Sequence, residues 1–164
     1  MNRKLSAVDG VFFRMESHDT PMHVAGLQTF HLPEGAGTDF IQQLVAQLRT
    51  PTRLCAPWNL KLKRSALGDS WETDHDVDLD YHIRHIALPQ PGGERELGAM
   101  ISRLHSHRLG RHRPLWECYV IEGLEGHRFA LYTKVHHALA DGVTTIRLLT
   151  EFLSDSPGQA TPAP

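Results

Sequence analysis

The chain has 164 residues, of which 40% are hydrophobic and 22% are charged. This balance is typical of a globular protein that can bury one core. The formal net charge of -2 at pH 7 argues against a nucleic-acid partner, because such proteins carry a basic surface. Cys55 and Cys118 show no metal-binding or redox spacing, which favours a reducing, cytoplasmic setting. No signal peptide or membrane-spanning run is evident, so we expect any membrane contact to be peripheral.

The first 50 residues predict a helix, a strand and a second helix. Ser6 and Asp9 have capping-box spacing, which predicts a short helix with an apolar face of Val8, Val11, Phe12 and Met15. A strand is predicted over residues 22–32, where Gly26 marks a bulge or a close approach. Thr38 is predicted to cap a helix through Arg49. Its core-facing stripe consists of Phe40, Ile41, Leu44, Val45 and Leu48.

Residues 50–75 predict a loop with short extended pieces, because prolines alternate with residues that favour burial, such as Trp58 and Trp71. Acidic and histidine residues then alternate over residues 74–82. This pattern fits either a cation site or a solvated loop leading into a strand, and we favour the loop.

A helix is predicted over residues 94–107, ended by Gly110. Arg108, Arg111 and Arg113 follow as a basic cluster, which is either a solvated face or a contact for a phosphate-bearing ligand. The strongest strand signals are residues 116–123 and 128–135, which predict a β-hairpin across a short glycine-containing turn.

The second hairpin strand runs directly into His136 and His137, followed by Asp141 and Gly142. A histidine at the end of a rigid strand can serve as a general base, since its imidazole titrates near neutral pH. Metal ligation is disfavoured because adjacent residues at a strand end point to opposite sides and no third ligand is evident. Histidines satisfied within a core are at least as compatible with the spacing. No nucleophile elbow supports a covalent serine hydrolase.

Residues 143–153 predict a helix, and residues 154–164, rich in Pro, Gly and Ala, predict a linker.

The stretch from His136 to Gly142 resembles the H-H-x-x-x-D-G motif of the CoA-dependent acyltransferase superfamily. Residues 5–9, 21–27, 78–85, 113–117 and 121–124 resemble, more narrowly, bacterial bifunctional wax ester synthase/diacylglycerol acyltransferases. The resemblance extends to about Leu153. One departure is Leu109-Gly110, where that family usually has Leu-Asp.

The resemblance implies an α/β fold, an α+β two-layer sandwich with a mixed sheet flanked by helices. Residues 1–153 would form the N-terminal half of a two-domain fold like that of chloramphenicol acetyltransferase. The active site would lie in a tunnel between this half and a C-terminal domain that the 164 residues do not include.

The implied reaction is transfer of a fatty acyl group from acyl-CoA, as co-substrate, to a long-chain alcohol or diacylglycerol, without a bound cofactor or metal. The general base would be His137. Support would come from His136, Asp141 and Gly142, with Asp141 organising the loop. The tunnel or structural wall would include Pro114, Leu115 and Trp116.

The expected partners are therefore the two substrates and the C-terminal half of the same enzyme, at a cytoplasmic site that extends to the membrane surface or lipid inclusions. Two alternatives remain at this point. One is a condensation-type acyltransferase that uses carrier-protein thioesters. The other is a non-catalytic half that binds acyl chains or pairs with a partner chain.

Overall fold

The computed structural model describes residues 3–50, 54–66 and 68–140. The predictions for Asp141, Gly142, the helix over residues 143–153 and the linker over residues 154–164 lie outside these ranges.

Eleven helices and strands are assigned within the described ranges. In chain order they are β1 (Arg3–Lys4), α1 (Ala7–Met15), β2 (His23–His31), α2 (Phe40–Leu48), β3 (Leu60–Lys63), β4 (Ser70–Thr73), α3 (Leu79–His82), β5 (Ile83–Ala87), α4 (Glu94–Ser106), β6 (Trp116–Leu124) and β7 (Arg128–His136).

The main sheet has the strand order β2-β7-β6-β5. Strand β7 pairs antiparallel with β2 and β6, whereas β5 pairs parallel with β6. The sheet is therefore mixed, as predicted, and the hairpin of β6 and β7 forms its centre. Because side chains alternate along a strand, the hairpin contributes to two separate cores.

Helix α2 covers one face of the main sheet and helix α4 covers the other. Ile41 and Val45 of α2 pack in a cluster with Val120 and Val135. On the opposite face, Leu97 of α4 packs in a cluster that the sheet completes with Tyr119, Ile121, Ala130 and Tyr132. The predicted arrangement of a mixed sheet flanked by helices is confirmed, and the apolar stripe of α2 is confirmed as core.

A second sheet, in the order β1-β4-β3, accounts for the extended pieces predicted within residues 50–75. Its core side contains Trp71, which is fully buried, together with Leu60 and Leu62. The same cluster includes Leu115 and Ala138. This small sheet therefore packs beneath the histidine loop, an arrangement that the sequence did not predict.

Helix α1 begins with the predicted capping box. The Ser6 hydroxyl accepts a hydrogen bond from the Asp9 amide at 3.0 Å, and the Asp9 carboxylate accepts one from the Ser6 amide at 3.2 Å. The predicted apolar face is wrong for Val8, Val11 and Met15, which are 64%, 40% and 59% exposed, whereas Phe12 packs partly against the core. The buried residue is Phe13, whose ring packs near Trp71 at a centroid distance of 6.0 Å. Apolar residues lie on both sides of this helix, so periodicity could not decide which side the fold covers.

Three local predictions are also corrected. Gly26 marks no bulge, because β2 and β7 pair residue by residue along the whole of β2. Thr38 does not cap α2; Asp39 occupies the cap position and makes no side-chain capping bond to the backbone. The helix predicted over residues 94–107 is confirmed as α4, but Gly110 does not terminate it: His107 is the cap residue, and side chains from the sheet bind the carbonyl groups of the last turn.

Candidate active site

Two different segments hold the backbone of the histidine pair. The amide of His136, the last residue of β7, donates to the carbonyl of Leu115 at 3.0 Å. The amide of His137, in the turn that follows, donates to the carbonyl of Met22 at 2.9 Å. The two residues are therefore fixed from opposite neighbours of the central strand, which gives the rigid support that a catalytic side chain requires.

The imidazole of His136 is buried, with 1% of the residue exposed. Its Nδ1 accepts a hydrogen bond from the Ala138 amide at 3.0 Å, so the neutral ring carries its proton on Nε2. Burial lowers the pKa of His136 to about 4 and outweighs the nearby Glu16 carboxylate, which lies 3.6 Å from Nε2. His136 is therefore neutral at pH 7 and braces the turn.

The imidazole of His137 is half-buried and stacks on the ring of Phe12, with centroids 4.9 Å apart and planes 11° apart. Its neighbour His136 stacks in the same way on Phe13, at 4.6 Å and 15°. Helix α1 thus supplies one aromatic ring to each histidine. Of the two imidazoles, that of His137 is the more accessible to a substrate proton.

Glu16 and Arg111 form a half-buried ion pair beside His136. Arg111 donates from Nη2 and Nε to Glu16 Oε2 at 2.7 and 3.0 Å. Burial raises the pKa of Glu16, but the Arg111 guanidinium and the Met22 amide hold that pKa below its ordinary value. The carboxylate is therefore charged. Nothing in the sequence marked Glu16, which is a single acidic residue at the end of a short predicted helix.

The side chains of Pro114, Leu115 and Trp116 are all buried. Besides the Leu115 carbonyl that holds His136, the Trp116 indole donates to the Trp58 carbonyl at 2.7 Å. The Trp116 carbonyl accepts from His82 Nδ1, also at 2.7 Å. The stretch is thus part of the wall behind the histidine pair. A substrate contact for it stays a prediction.

The basic cluster predicted from Arg108, Arg111 and Arg113 is divided in the fold. Arg111 binds Glu16, and Arg113 binds Asp78 at 2.9 Å while lying over the Tyr81 ring at 4.1 Å. Arg111 and Arg113 are therefore paired with carboxylates of the protein, which disfavours a phosphate contact for them, and of the three only Arg108 has the exposure expected of a solvated face.

Within the described ranges, no three or more His, Cys, Asp and Glu side chains are grouped closely enough to hold a metal ion. The same residues include no helix with the length and apolar character needed to cross a membrane.

The sequence model of the wax ester synthase/diacylglycerol acyltransferase catalytic domain matches residues 5–164. The chain belongs to this family. The resemblance that the motifs predicted is thereby confirmed over nearly the whole sequence.

Two relatives show the extent of the match. The chain is 47% identical over 153 residues to the O-acyltransferase WSD of Acinetobacter baylyi, covering 93% of this chain and 32% of that protein. It superimposes with a TM-score of 0.91 on the wax ester synthase/diacylglycerol acyltransferase from Marinobacter aquaeolei VT8, at 46% identity, covering 98% of this chain and 41% of that one. The chain thus spans about a third of the length of the Acinetobacter protein.

A more distant structure shows the same fold. The starter condensation domain of rhizomide synthetase RzmA superimposes with a TM-score of 0.64 at 14% identity, covering 92% of this chain. This likeness concerns the fold alone.

Proposed function

We propose that this chain supplies the acid–base part of an O-acyltransferase. The enzyme would move a fatty acyl group from acyl-CoA to the hydroxyl of a long-chain alcohol or of diacylglycerol. The observation that carries the proposal is the different burial of the two histidines. His136 is buried and neutral, while His137 is half-buried on the Phe12 ring. Membership of the family supplies the reaction class.

In the proposed step, His137 accepts the proton of the acceptor hydroxyl as its oxygen attacks the thioester carbonyl. The tetrahedral intermediate collapses, the carbon–sulfur bond breaks, and the imidazolium returns the proton to the departing CoA thiolate. The products are an ester and free CoA, and the step as written needs no bound cofactor. A general base of this kind contributes about 10²–10⁴ in rate.

The neighbouring residues would act by holding His137 in place. His136 braces the turn through its bond to the Ala138 amide. Leu115 fixes the strand end, while Pro114 and Trp116 complete the wall behind it. We assign Asp141 the role of organising the loop and Gly142 that of letting the backbone turn.

The complete reaction requires more than these residues. Since the chain spans about a third of the Acinetobacter protein, we propose that the rest of the acyl-CoA site and the second tunnel wall come from a C-terminal domain like the part of that protein which the match does not cover. We further propose a cytoplasmic location, with peripheral contact at the membrane or at lipid inclusions where apolar products collect.

The test is a product assay on this chain joined, at its C-terminus, to the part of the Acinetobacter protein that the match does not cover. The donor is radiolabelled palmitoyl-CoA, and the acceptors are hexadecanol and dipalmitoylglycerol. We expect labelled wax ester or triacylglycerol together with free CoA. Label transferred only from a carrier-bound thioester would indicate the condensation-type alternative. Acyl-chain binding without turnover would indicate a non-catalytic role.

A further inference from the structure

The last turn of helix α4 ends against the main sheet, and polar side chains from the sheet satisfy its carbonyl groups. Lys134 of β7 donates to the carbonyls of Leu104 and His107 at 3.0 and 2.8 Å. His23 of β2 donates from Nε2 to the carbonyl of His105 at 2.9 Å. Carbonyls at a helix C-terminus lack partners within the helix, so these bonds fix where α4 ends.

The His23 side chain is buried, with 7% of the residue exposed. Its bond to the His105 carbonyl places the ring edge-on to the His105 ring, with centroids 4.6 Å apart. His105 is in turn hydrogen-bonded through Nδ1 to the Tyr132 hydroxyl at 2.8 Å. The start of β2 is therefore attached to the end of α4 by a side chain, in addition to its backbone pairing with β7.

The residue before His23 holds the candidate base. The Met22 carbonyl accepts the His137 amide at 2.9 Å, and the Met22 amide donates to Glu16 Oε1 at 3.3 Å. Within the main sheet, His23 is the register partner of His136. The His137–Met22 bond thus lies one position beyond the last backbone pair of the β2–β7 ladder, where a strand end would otherwise fray.

We infer that His23 is a positioning residue for His137. Its buried side chain anchors the start of β2 to the last turn of α4, and this anchor keeps the Met22 carbonyl in place to hold the His137 amide. The Pro21-Met22-His23 stretch then has the same task for His137 that Pro114-Leu115 has for His136. The consequence for catalysis rests on the proposed function, whereas the anchoring itself does not.

The charge around His23 is compatible with this role. The groups that act on it are Lys134 and His105, which oppose its protonation, and the Glu16 carboxylate, which favours it. Burial is the largest influence and lowers the pKa of His23 to about 4. The ring is therefore a neutral donor at pH 7, a state that a glutamine amide can imitate and a leucine cannot.

The first test measures amide hydrogen exchange by NMR on the ¹⁵N-labelled 164-residue chain, comparing His23→Leu with His23→Gln. In His23→Leu we expect the His137 amide to exchange about tenfold faster, as for the loss of about one net hydrogen bond. The His136 amide, held by Leu115, serves as the internal control and should keep its protection. His23→Gln should restore the slow exchange of His137.

Two outcomes would overturn the inference. One is unchanged exchange of the His137 amide in His23→Leu. The other is an equal acceleration of the His136 and His137 amides, which would indicate a general loss of stability. If His23→Leu does not fold, His23→Met takes its place, because methionine also lacks a donor but adapts its shape to the site. The exchange rates of the His137 and His136 amides in His23→Met are then compared with those in His23→Gln, with the same expected and contradicting results.

The second test measures acyl transfer from palmitoyl-CoA to hexadecanol in the joined protein. We expect His23→Leu to lower kcat about tenfold with little change in KM, and His23→Gln to stay within about twofold of the unaltered protein, since misplacement of a catalytic group acts on the chemical step. Equal kcat in His23→Leu and the unaltered protein would contradict the catalytic consequence. If the unaltered protein transfers no acyl group, the proposed function fails, while the exchange result still decides the anchoring.

Discussion

The imidazole of His137 lies face to face with the ring of Phe12, at a centroid distance of 4.9 Å. The neighbouring Phe13 is buried against Trp71 and His136. One helix therefore presents an outer ring to the candidate base and an inner ring to the core. The two substitutions should have different consequences, even though the residues are adjacent.

Phe12→Ala should lower kcat about tenfold and cost less stability than Phe13→Ala, because its half-buried ring orients His137 and packs only against the edge of the core. Phe13→Ala should cost about 3–5 kcal/mol of unfolding free energy, as for other buried aromatic residues. Urea unfolding and the palmitoyl-CoA assay measure the two effects. Equal losses of stability in both variants would contradict this division.

Acid should destabilise the fold through its buried histidines. Burial lowers the pKa values of His23 and His136 to about 4, whereas both take up protons near pH 6.5 when unfolded. Their contribution to stability is therefore fully present above about pH 6.5 and is lost as the pH falls towards 4. Between these two pH values, each histidine lowers the free energy of unfolding by about 1.4 kcal/mol for every unit by which the pH falls.

Urea unfolding at pH 7, 6 and 5 would show this loss. In His23→Gln, the free energy of unfolding should depend less steeply on pH than in the unaltered chain, because unfolding takes up about one proton fewer. The same slope in both proteins would mean that His23 is protonated in the fold, or is not buried as the structure shows.

Glu16→Gln should destabilise the protein by about 1–3 kcal/mol, since it removes the charged partner of Arg111, whose guanidinium is partly exposed and keeps its bond to the Phe13 carbonyl. Arg111→Lys should also lower the free energy of unfolding, because a lysine cannot reproduce the two donors that bind Glu16 at 2.7 and 3.0 Å. Thermal unfolding of the two variants checks the prediction. Arg111→Lys with the stability of the unaltered chain would show that charge alone is sufficient.

Lys134 is fully buried and lies 3.4 Å from the Glu117 carboxylate. Burial lowers the pKa of Lys134, while Glu117 opposes that shift. Lys134→Met should cost about 3–5 kcal/mol, because it removes the buried cation beside Glu117, leaving Arg84 at 3.5 Å, and takes the donor from the carbonyls at the end of α4. The double variant Lys134→Met/Glu117→Gln should lose less than the sum of the two single variants. A double-mutant cycle by urea unfolding measures this coupling, and strict additivity would contradict it.

The central hairpin and helices α2 and α4 could be predicted from the sequence because each carries an uninterrupted hydrophobic period. The side of α1 that faces the core could not, since Phe12 and Phe13 are adjacent and apolar residues surround the helix. The bonds that His23 and Lys134 make to the last turn of α4 could not be predicted either, because both residues are distant from that turn in sequence.

The histidine pair was visible as a motif, but its division into a buried and an accessible ring was not. That division depends on the Ala138 amide and on two phenylalanines from the first helix. His136 is buried and held through Nδ1, but its Nε2 lies 3.6 Å from Glu16 Oε1 and makes no hydrogen bond within the described residues, so it is not a fully satisfied core histidine. The assignment of the base to His137 came from the family resemblance and stays a proposal, which the accessible imidazole on the Phe12 ring supports.

The most direct test compares His137→Ala with His136→Asn in the joined protein, using ester formation from palmitoyl-CoA and hexadecanol. Asn can still accept the Ala138 amide, so His136→Asn should retain most of the activity. His137→Ala should lose at least about a hundredfold in kcat, as for removal of a general base, while its unfolding temperature stays unchanged. Ester formation by a folded His137→Ala protein at the rate of the unaltered protein would contradict the account.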